Sequence, residues 1–174
     1  VSDSPVGPFT PQDNYIEGSY SIDPAVFVDD DGRIYCYNGG LWGGQLEMWQ
    51  SGSFNRDEHR PEGDEKALGP IYAEFTEDMT AFKEKPKMIE ILDENGEPLK
   101  ASDEERRYFE GPWMHKINGK YYLSYSTGTT HYVCYAEGDS PAGPFTYKGR
   151  IMEPVLGWTT HHSIVEIDGE WYLF

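Results

Sequence analysis

Residues 114–125 read MHKINGKYYLSY, and the same design recurs at 26–37, VFVDDDGRIYCY, and at 164–174, IVEIDGEWYLF. Each is an apolar run, then an Asn-Gly or Asp-Gly pair, then an aromatic-rich run. Those pairs accept the positive φ that a type I′ turn needs at both central positions, so each segment is predicted to be a β-hairpin. Three copies of one sheet unit point to a radial array, a β-propeller, rather than a sandwich. A second repeat orders the parts: DSPVGPFT stands at 3–10 and DSPAGPFT at 139–146. The later copy follows the hairpin at 114–125 and a strand pattern, HYVCYAEG at 131–138, and it precedes the next unit. The motif therefore closes a unit and leads into its outer strand. The copy at 3–10 then closes a unit that lies before Asp23.

The expected fold is all-β, a propeller of which this chain supplies about three blades of an incomplete ring. Residues 1–11 are the end of one blade, 20–108 a blade with an acidic insertion, 109–157 the next blade, and 158–174 the start of a further one. All are expected to be part of a single propeller domain, with the remaining blades of the same ring as partners, because a propeller hides its sheet edges by closing. The repeat is interrupted over 54–110, which holds 17 of the 31 acidic residues. Within it GPIYAEFTEDM (69–79) and KPKMIEILD (85–93) keep strand character. DENGEPLKASDEERR (93–107) reads as a polar excursion with room for a short helix.

Composition bounds the function. The formal net charge is −17 over 174 residues. That opposes nucleic acid and anionic membrane surfaces as partners, since phosphate is bound by clustered Lys and Arg. Leu, Ile, Val and Phe number only 33, a proportion that with this charge borders on disorder. Eight Phe, five Trp and thirteen Tyr decide for a packed domain, because disordered chains lack aromatics. No run approaches the roughly 20 apolar residues of a membrane span. The opening VSDSPVGPF has no basic or apolar leader pattern, and the compartment stays unassigned. Cys36 and Cys134 each sit in an aromatic strand pattern and read as small buried hydrophobes.

Chemistry enters at one phase of the repeat. Asp23 in SIDPAVFV, Glu110 in FEGPWMHK and His161 in TTHHSIVE each lie eight or nine residues before the turn glycine of their unit. The first strand of every propeller blade is innermost, so equivalent positions converge at one end of the central channel. Taken singly, each has a plain structural reading: Asp-Pro starts turns, Glu110 is a loop acid, and His161-His162 begin a strand. Three at the same phase favour an acid–base set. Trp42 in GGLWGG, Thr129 in the matching loop of the next unit, and His162 are the candidate substrate contacts; an indole on a loop can offer its face to a ligand. Trp113 is expected in the core. DDDG at 29–32 lacks the acid twelve positions in that a calcium loop needs, and reads as a hairpin turn.

These segments resemble glycoside hydrolase family 43, five-bladed β-propeller enzymes acting on xylans, arabinoxylans and arabinans. The motifs that carry the likeness are SIDPAVFVDDDGRIYCYNG, EGPWMHKINGKYYLSYSTG, the two DSP-x-GPF segments and THHSIVEIDGEWYLF. The resemblance implies an inverting β-xylosidase or α-L-arabinofuranosidase. It implies Glu110 as general acid, Asp23 as the second Asp that tunes the acid's pKa, and water or a calcium ion in the central channel near His161, with no cofactor required for the chemistry. The family's base Asp comes from the first blade. Since a unit already precedes Asp23, the base is expected outside these residues. Three other readings stay open: a carbohydrate-binding propeller without turnover, an endo-arabinanase of the same family, and a neighbouring five-bladed family of retaining enzymes, such as fructan hydrolases, whose motifs fit less well.

Overall fold

A computed structural model describes residues 1–157 and 160–174. Its sheets are antiparallel meanders of the kind that make propeller blades. The first joins β1 (Ala25–Val28), β2 (Ile34–Asn38), β3 (Ile71–Glu74) and β4 (Lys87–Met88) in sequential order. The second runs β6 (Glu110–Ile117), β7 (Lys120–Ser126), β8 (Val133–Gly138) and β9 (Phe145–Met152). Its outer edge is extended by β5 (Ile91–Leu92), which pairs parallel to β9. β10 (Ile164–Ile167) and β11 (Glu170–Leu173) form a third, two-stranded sheet. No helix among the described residues is long and apolar enough to cross a membrane.

The hairpin reading holds, with one change of turn. Asn118-Gly119 and Asp168-Gly169 have positive φ at both positions, as a type I′ turn requires. At 29–32 only Gly32 does. There Gly32 N–H donates to the Asp29 carbonyl and Asp29 N–H to the Arg33 carbonyl, which is a type I turn closed by a left-handed glycine. The extra residue of DDDG is what the longer turn absorbs. The two DSP-x-GPF copies build one turn twice. Gly7 N–H meets Ser4 O and Gly143 N–H meets Ser140 O, both at 3.0 Å, and each serine hydroxyl accepts the amide two residues on. Phe145 then enters β9 fully buried, whereas Phe9 is 68% exposed and no strand follows it before Ala25.

The interruption at 54–110 is smaller than its composition suggests. β3 and β4 lie inside it and complete the first sheet, while β5 crosses to the second. The segment 93–107 contains no helix. It is a strap of turns fastened to the second sheet: Tyr125 OH donates to Arg106 O, Arg150 pairs with Glu105 at 2.6 Å, and the Thr129 and Thr130 hydroxyls donate to Glu104, each at 2.8 Å. Its backbone amides are satisfied by turns within the strap and by residues 63–65, as where Ala101 N–H donates to Glu65 O and Ser102 N–H to Gly63 O, which leaves no need for a local helix.

One aromatic core spans the two blades. Tyr35, Tyr37, Leu46, Ile71 and Ile89 meet Met114, Tyr121, Leu123, Tyr125 and Phe145 in one buried cluster. Phe27 packs edge-on against Tyr121 at 6.1 Å, and Tyr37 OH reaches Pro141 O at 2.8 Å. Beneath these sits an ion pair the sequence did not advertise. Asp29, in the first hairpin turn, is 5% exposed and accepts Lys116 Nζ at 2.7 Å and Tyr121 OH at 2.6 Å from the second blade. Burial works against its charge, but those two bonds and the Asp30 amide outweigh it and hold the carboxyl below the usual range. Cys36 and Cys134 are buried and unbridged in separate sheets, and burial pushes both thiols up to about 11.

Candidate active site

Asp23, Glu110 and His161 arrive from three sheets. Asp23 precedes β1, Glu110 begins β6, and His161 precedes β10. Each includes a ligand atom within 4.8 Å of those of the other two. His161 Nδ1 lies 3.7 Å from Asp23 Oδ1, and its Nε2 lies 3.6 Å from Glu110 Oε1. The Gly111 amide donates to Asp23 Oδ2 at 3.2 Å, so one blade's backbone fixes the other blade's carboxylate.

Local backbone aims these side chains. β6 pairs Glu110 with Ser126 and Trp113 with Ser124, so Gly111-Pro112 makes a bulge in the ladder. A bulge bends its strand and re-aims a side chain, which is why bulges gather at active sites. Gly111 takes φ +62°, a left-handed conformation suited to glycine. Asp23 has φ +60° without being glycine, a costlier state that the surrounding contacts hold in place. Gly40 closes the other side: a Cβ there would lie 2.7 Å from Ile22 and 3.2 Å from the Glu110 Cβ. Glu110 itself is 7% exposed, while the His161 side chain is half exposed. The cluster is a sunken acid with a carboxylate beside it and an imidazole at its mouth.

The three ligand atoms are close enough to meet on one cation. As a calcium cage they fall short: calcium takes six to eight oxygens, and this set offers two carboxylates and an imidazole nitrogen. The donors fit proton chemistry better than calcium.

The remaining candidates are spread around this centre. Trp42 follows β2 with φ +52°, is 55% exposed, and rests edge-on against Phe109 at 5.2 Å. That packing sets it against the residue immediately before Glu110. The Thr129 hydroxyl is committed to Glu104, so its loop is tied to the 93–107 strap. His162 Nε2 contacts Ser124 Oγ at 2.6 Å, which sets the ring against β7. Trp113 is half-buried and donates Nε1–H to Ile164 O at 2.8 Å, linking the second sheet to the third. Sequence reading missed Arg107 and Glu47, both placed beside Trp42. Only their burial marks them, and burial is not visible in a chain so rich in acids.

Two imidazoles behind the site carry a pH signature. His115 stacks on Tyr122 and meets Trp171 at 5.3 Å. Burial pushes the His115 ring down to about 4, and burial followed by the charge of His161 does the same to His162. Both lie below the unfolded value of about 6.5, so the unfolded state binds more protons between the two. Their contribution is complete above pH about 6.5 and is lost as the pH falls towards 4. Urea unfolding at pH 7 and pH 5 should show a loss on acidification that shrinks in His115→Gln. An equal loss in both proteins would remove His115 from the account.

The sequence profile of Glycosyl hydrolases family 43 matches residues 1–174. The chain is 59% identical over 174 residues to a xylosidase/arabinosidase of Bacteroides ovatus, covering 100% of this chain and 54% of that protein. It is 63% identical over 181 residues to xylosidase/arabinosidase 43A of Humicola insolens, covering 100% and 55%. Among solved structures, a family 43 enzyme of Xanthomonas citri complexed with xylose superposes with a TM-score of 0.96 at 53% identity, over 99% of this chain and 52% of that one. The chain thus spans about half the length of the relatives it matches. With the profile matched from end to end, and a relative's fold reproduced over almost every residue, the chain belongs to glycosyl hydrolase family 43.

Proposed function

We propose that residues 1–174 form part of a single β-propeller catalytic domain that hydrolyses xylose- or arabinose-containing plant oligosaccharides with inversion of configuration. The observation that carries this reading is the convergence of Asp23, Glu110 and His161 from three separate sheets onto one point. The relatives named above, xylosidases and arabinosidases, and the xylose held by the Xanthomonas enzyme, support a pentose as substrate.

Glu110 is the general acid. It passes its proton to the glycosidic oxygen as the bond from the anomeric carbon to that oxygen breaks, since an unprotonated alkoxide leaves poorly. A water attacks the anomeric carbon from the opposite face and gives its proton to a general base. Asp23 is not that base on this reading, because an inverting pair stands about 6.5–9.5 Å apart to admit the water. Its carboxylate, beside Glu110, opposes a second negative charge there and keeps the proton on the acid until transfer. The base is to be sought in the half of the relatives' length that this chain does not span. His161 orients the pair from the mouth of the site. Trp42 offers an aromatic face to sugar, and the Ser124-anchored His162 lines the wall. None of these steps needs a metal ion.

The short Asp23–Glu110 separation also admits a second reading, in which Asp23 is a nucleophile and configuration is retained, since such pairs stand about 5–5.5 Å apart. Time-resolved proton NMR of the polypeptide that carries this chain, with xylobiose and arabinoxylo-oligosaccharides, separates the two. The expected first product is the inverted anomer of xylose or arabinose. The retained anomer would transfer Asp23 to the nucleophile role, and no release of either sugar would favour a binding propeller.

A further inference from the structure

Two segments meet beside the acid pair. One is 20–23, which carries Asp23; the other is 38–41, the end of β2 and the loop after it. Asn38 Nδ2 donates to Tyr20 O at 2.6 Å, Gly39 N–H to Ile22 O at 2.8 Å, and Gly40 N–H to Ser21 Oγ at 3.0 Å. Ser21 (φ +72°) and Asp23 (φ +60°) are both left-handed without being glycine. Such states persist only where the surroundings over-determine them, and these three bonds do so.

The same loop is tied to the strand that carries Glu110. Leu41 N–H donates to Phe109 O at 3.0 Å, and the Tyr108 hydroxyl donates to Gly39 O. The Gly111 amide on Asp23 Oδ2 closes the circuit. From Asp23 the path runs through Ile22 and Gly39 to Tyr108, then along the chain to Glu110 and Gly111, and back to Asp23. Both carboxylates therefore hang on one closed frame that spans two blades, and Tyr108 is the side chain that reaches across it from the second blade. Tyr108 is built as a fixed donor. It is 1% exposed, and its ring lies 5.7 Å from that of Tyr125, whose own hydroxyl donates to Arg106 O. Burial, then the charges of Asp23 and Glu110, push the Tyr108 hydroxyl well above its ordinary range, so it keeps its proton to donate. A buried tyrosine hydroxyl takes an acceptor wherever it lies. Here the acceptor belongs to the residue whose own N–H holds Ile22, next to Asp23.

We propose that Tyr108 is a positioning residue for the reaction: by holding Gly39 it sets the distance and angle between the Asp23 and Glu110 carboxyl groups. Almost wholly buried, it acts through them. The inference rests on the glycosidase reading above, and it adds to that reading the residue that keeps the acid and its neighbour in register.

Tyr108→Phe, made in the polypeptide that carries this chain, keeps the ring and removes only the hydroxyl. On xylobiose kcat should fall by about 10- to 100-fold, as for a reacting group moved by up to about an ångström, with KM unchanged. An aryl xyloside with a good leaving group does not need the acid and should lose much less. In the Glu110→Gln background the same substitution should cost under about 2-fold on xylobiose, because the group it positions is already disabled. Equal losses on both substrates, or a loss that persists in full beside Glu110→Gln, would make Tyr108 a purely structural residue and overturn the proposal, as would an unaltered kcat. Ser21→Ala cuts the same frame at Gly40 and should show the same dependence on Glu110; it settles the question if Tyr108→Phe does not fold. Glu110→Gln alone reads the glycosidase assignment. Equal losses on the two substrates there would overturn that assignment, and this inference with it.

Discussion

Glu110→Gln should lower kcat/KM on xylobiose by about 10²–10⁴-fold, and lower it much less on an aryl xyloside with a good leaving group. Glutamine has the shape of the acid and no proton to give, so substrate binding and the bulge at Gly111-Pro112 are retained. What disappears is protonation of the departing oxygen. A phenolate with electron-withdrawing substituents leaves without that help, which is why the two substrates must diverge. Glu110 is almost buried, so a general loss of folding is the rival explanation. It is separated by the thermal midpoint and by the aryl substrate together. Equal losses on both substrates would assign Glu110 to architecture and leave the proton donor unidentified.

Lys116→Met should destabilise the protein, because it leaves the Asp29 carboxylate without its cationic partner. The Asp29 side chain is 3% exposed, and Lys116 supplies its only cationic contact among the described residues. Lys116 Nζ also reaches the exposed Asp30 at 2.9 Å and lies over the Tyr121 ring at 4.7 Å. Asp29→Asn in the Lys116→Met background should recover much of the loss, because the stranded charge goes with it. The pair also has a pH dependence of known sign. The folded Asp29 carboxyl lies below its unfolded value of about 3.9, so its contribution is whole above that pH and is lost as the pH falls through the folded value. That window lies below the one assigned to His115. Urea unfolding of the single and double variants measures both effects. A single-variant loss under about 1 kcal/mol would mean that the pair behaves as an exposed one.

Much of the fold was legible because it is repetitive. Turn glycines at fixed distances from aromatic runs dictate hairpins whatever surrounds them, and all three hairpins form. The twin DSP-x-GPF turns share their hydrogen bonds because Ser and Gly at those positions make them locally. β3 and β4 fall inside 69–79 and 85–93, the two stretches of the interruption that kept strand character. Errors arose where a segment's structure depends on a distant partner. The strap at 93–107 gave a pattern compatible with a helix. Its backbone and side chains instead bond to β7–β9 and the loops between them. The DDDG turn was read correctly as a turn and incorrectly as nothing more. Only the packing of Tyr121 and Lys116 against it makes Asp29 a buried anchor between blades.

By itself the sequence determined the unit of construction, its repetition, and the phase at which Asp23, Glu110 and His161 recur, because hairpin chemistry acts over two to eight residues and repeats wherever the residues do. The tertiary structure decided how those units meet. It set the 3.6–3.7 Å spacings around His161, the aim that the Gly111 bulge gives Glu110, and the burial of Glu47 and Arg107 beside Trp42. Those quantities depend on side chains brought together from separate blades. Desolvation and charge pairing between them have no counterpart in the local pattern of any one segment.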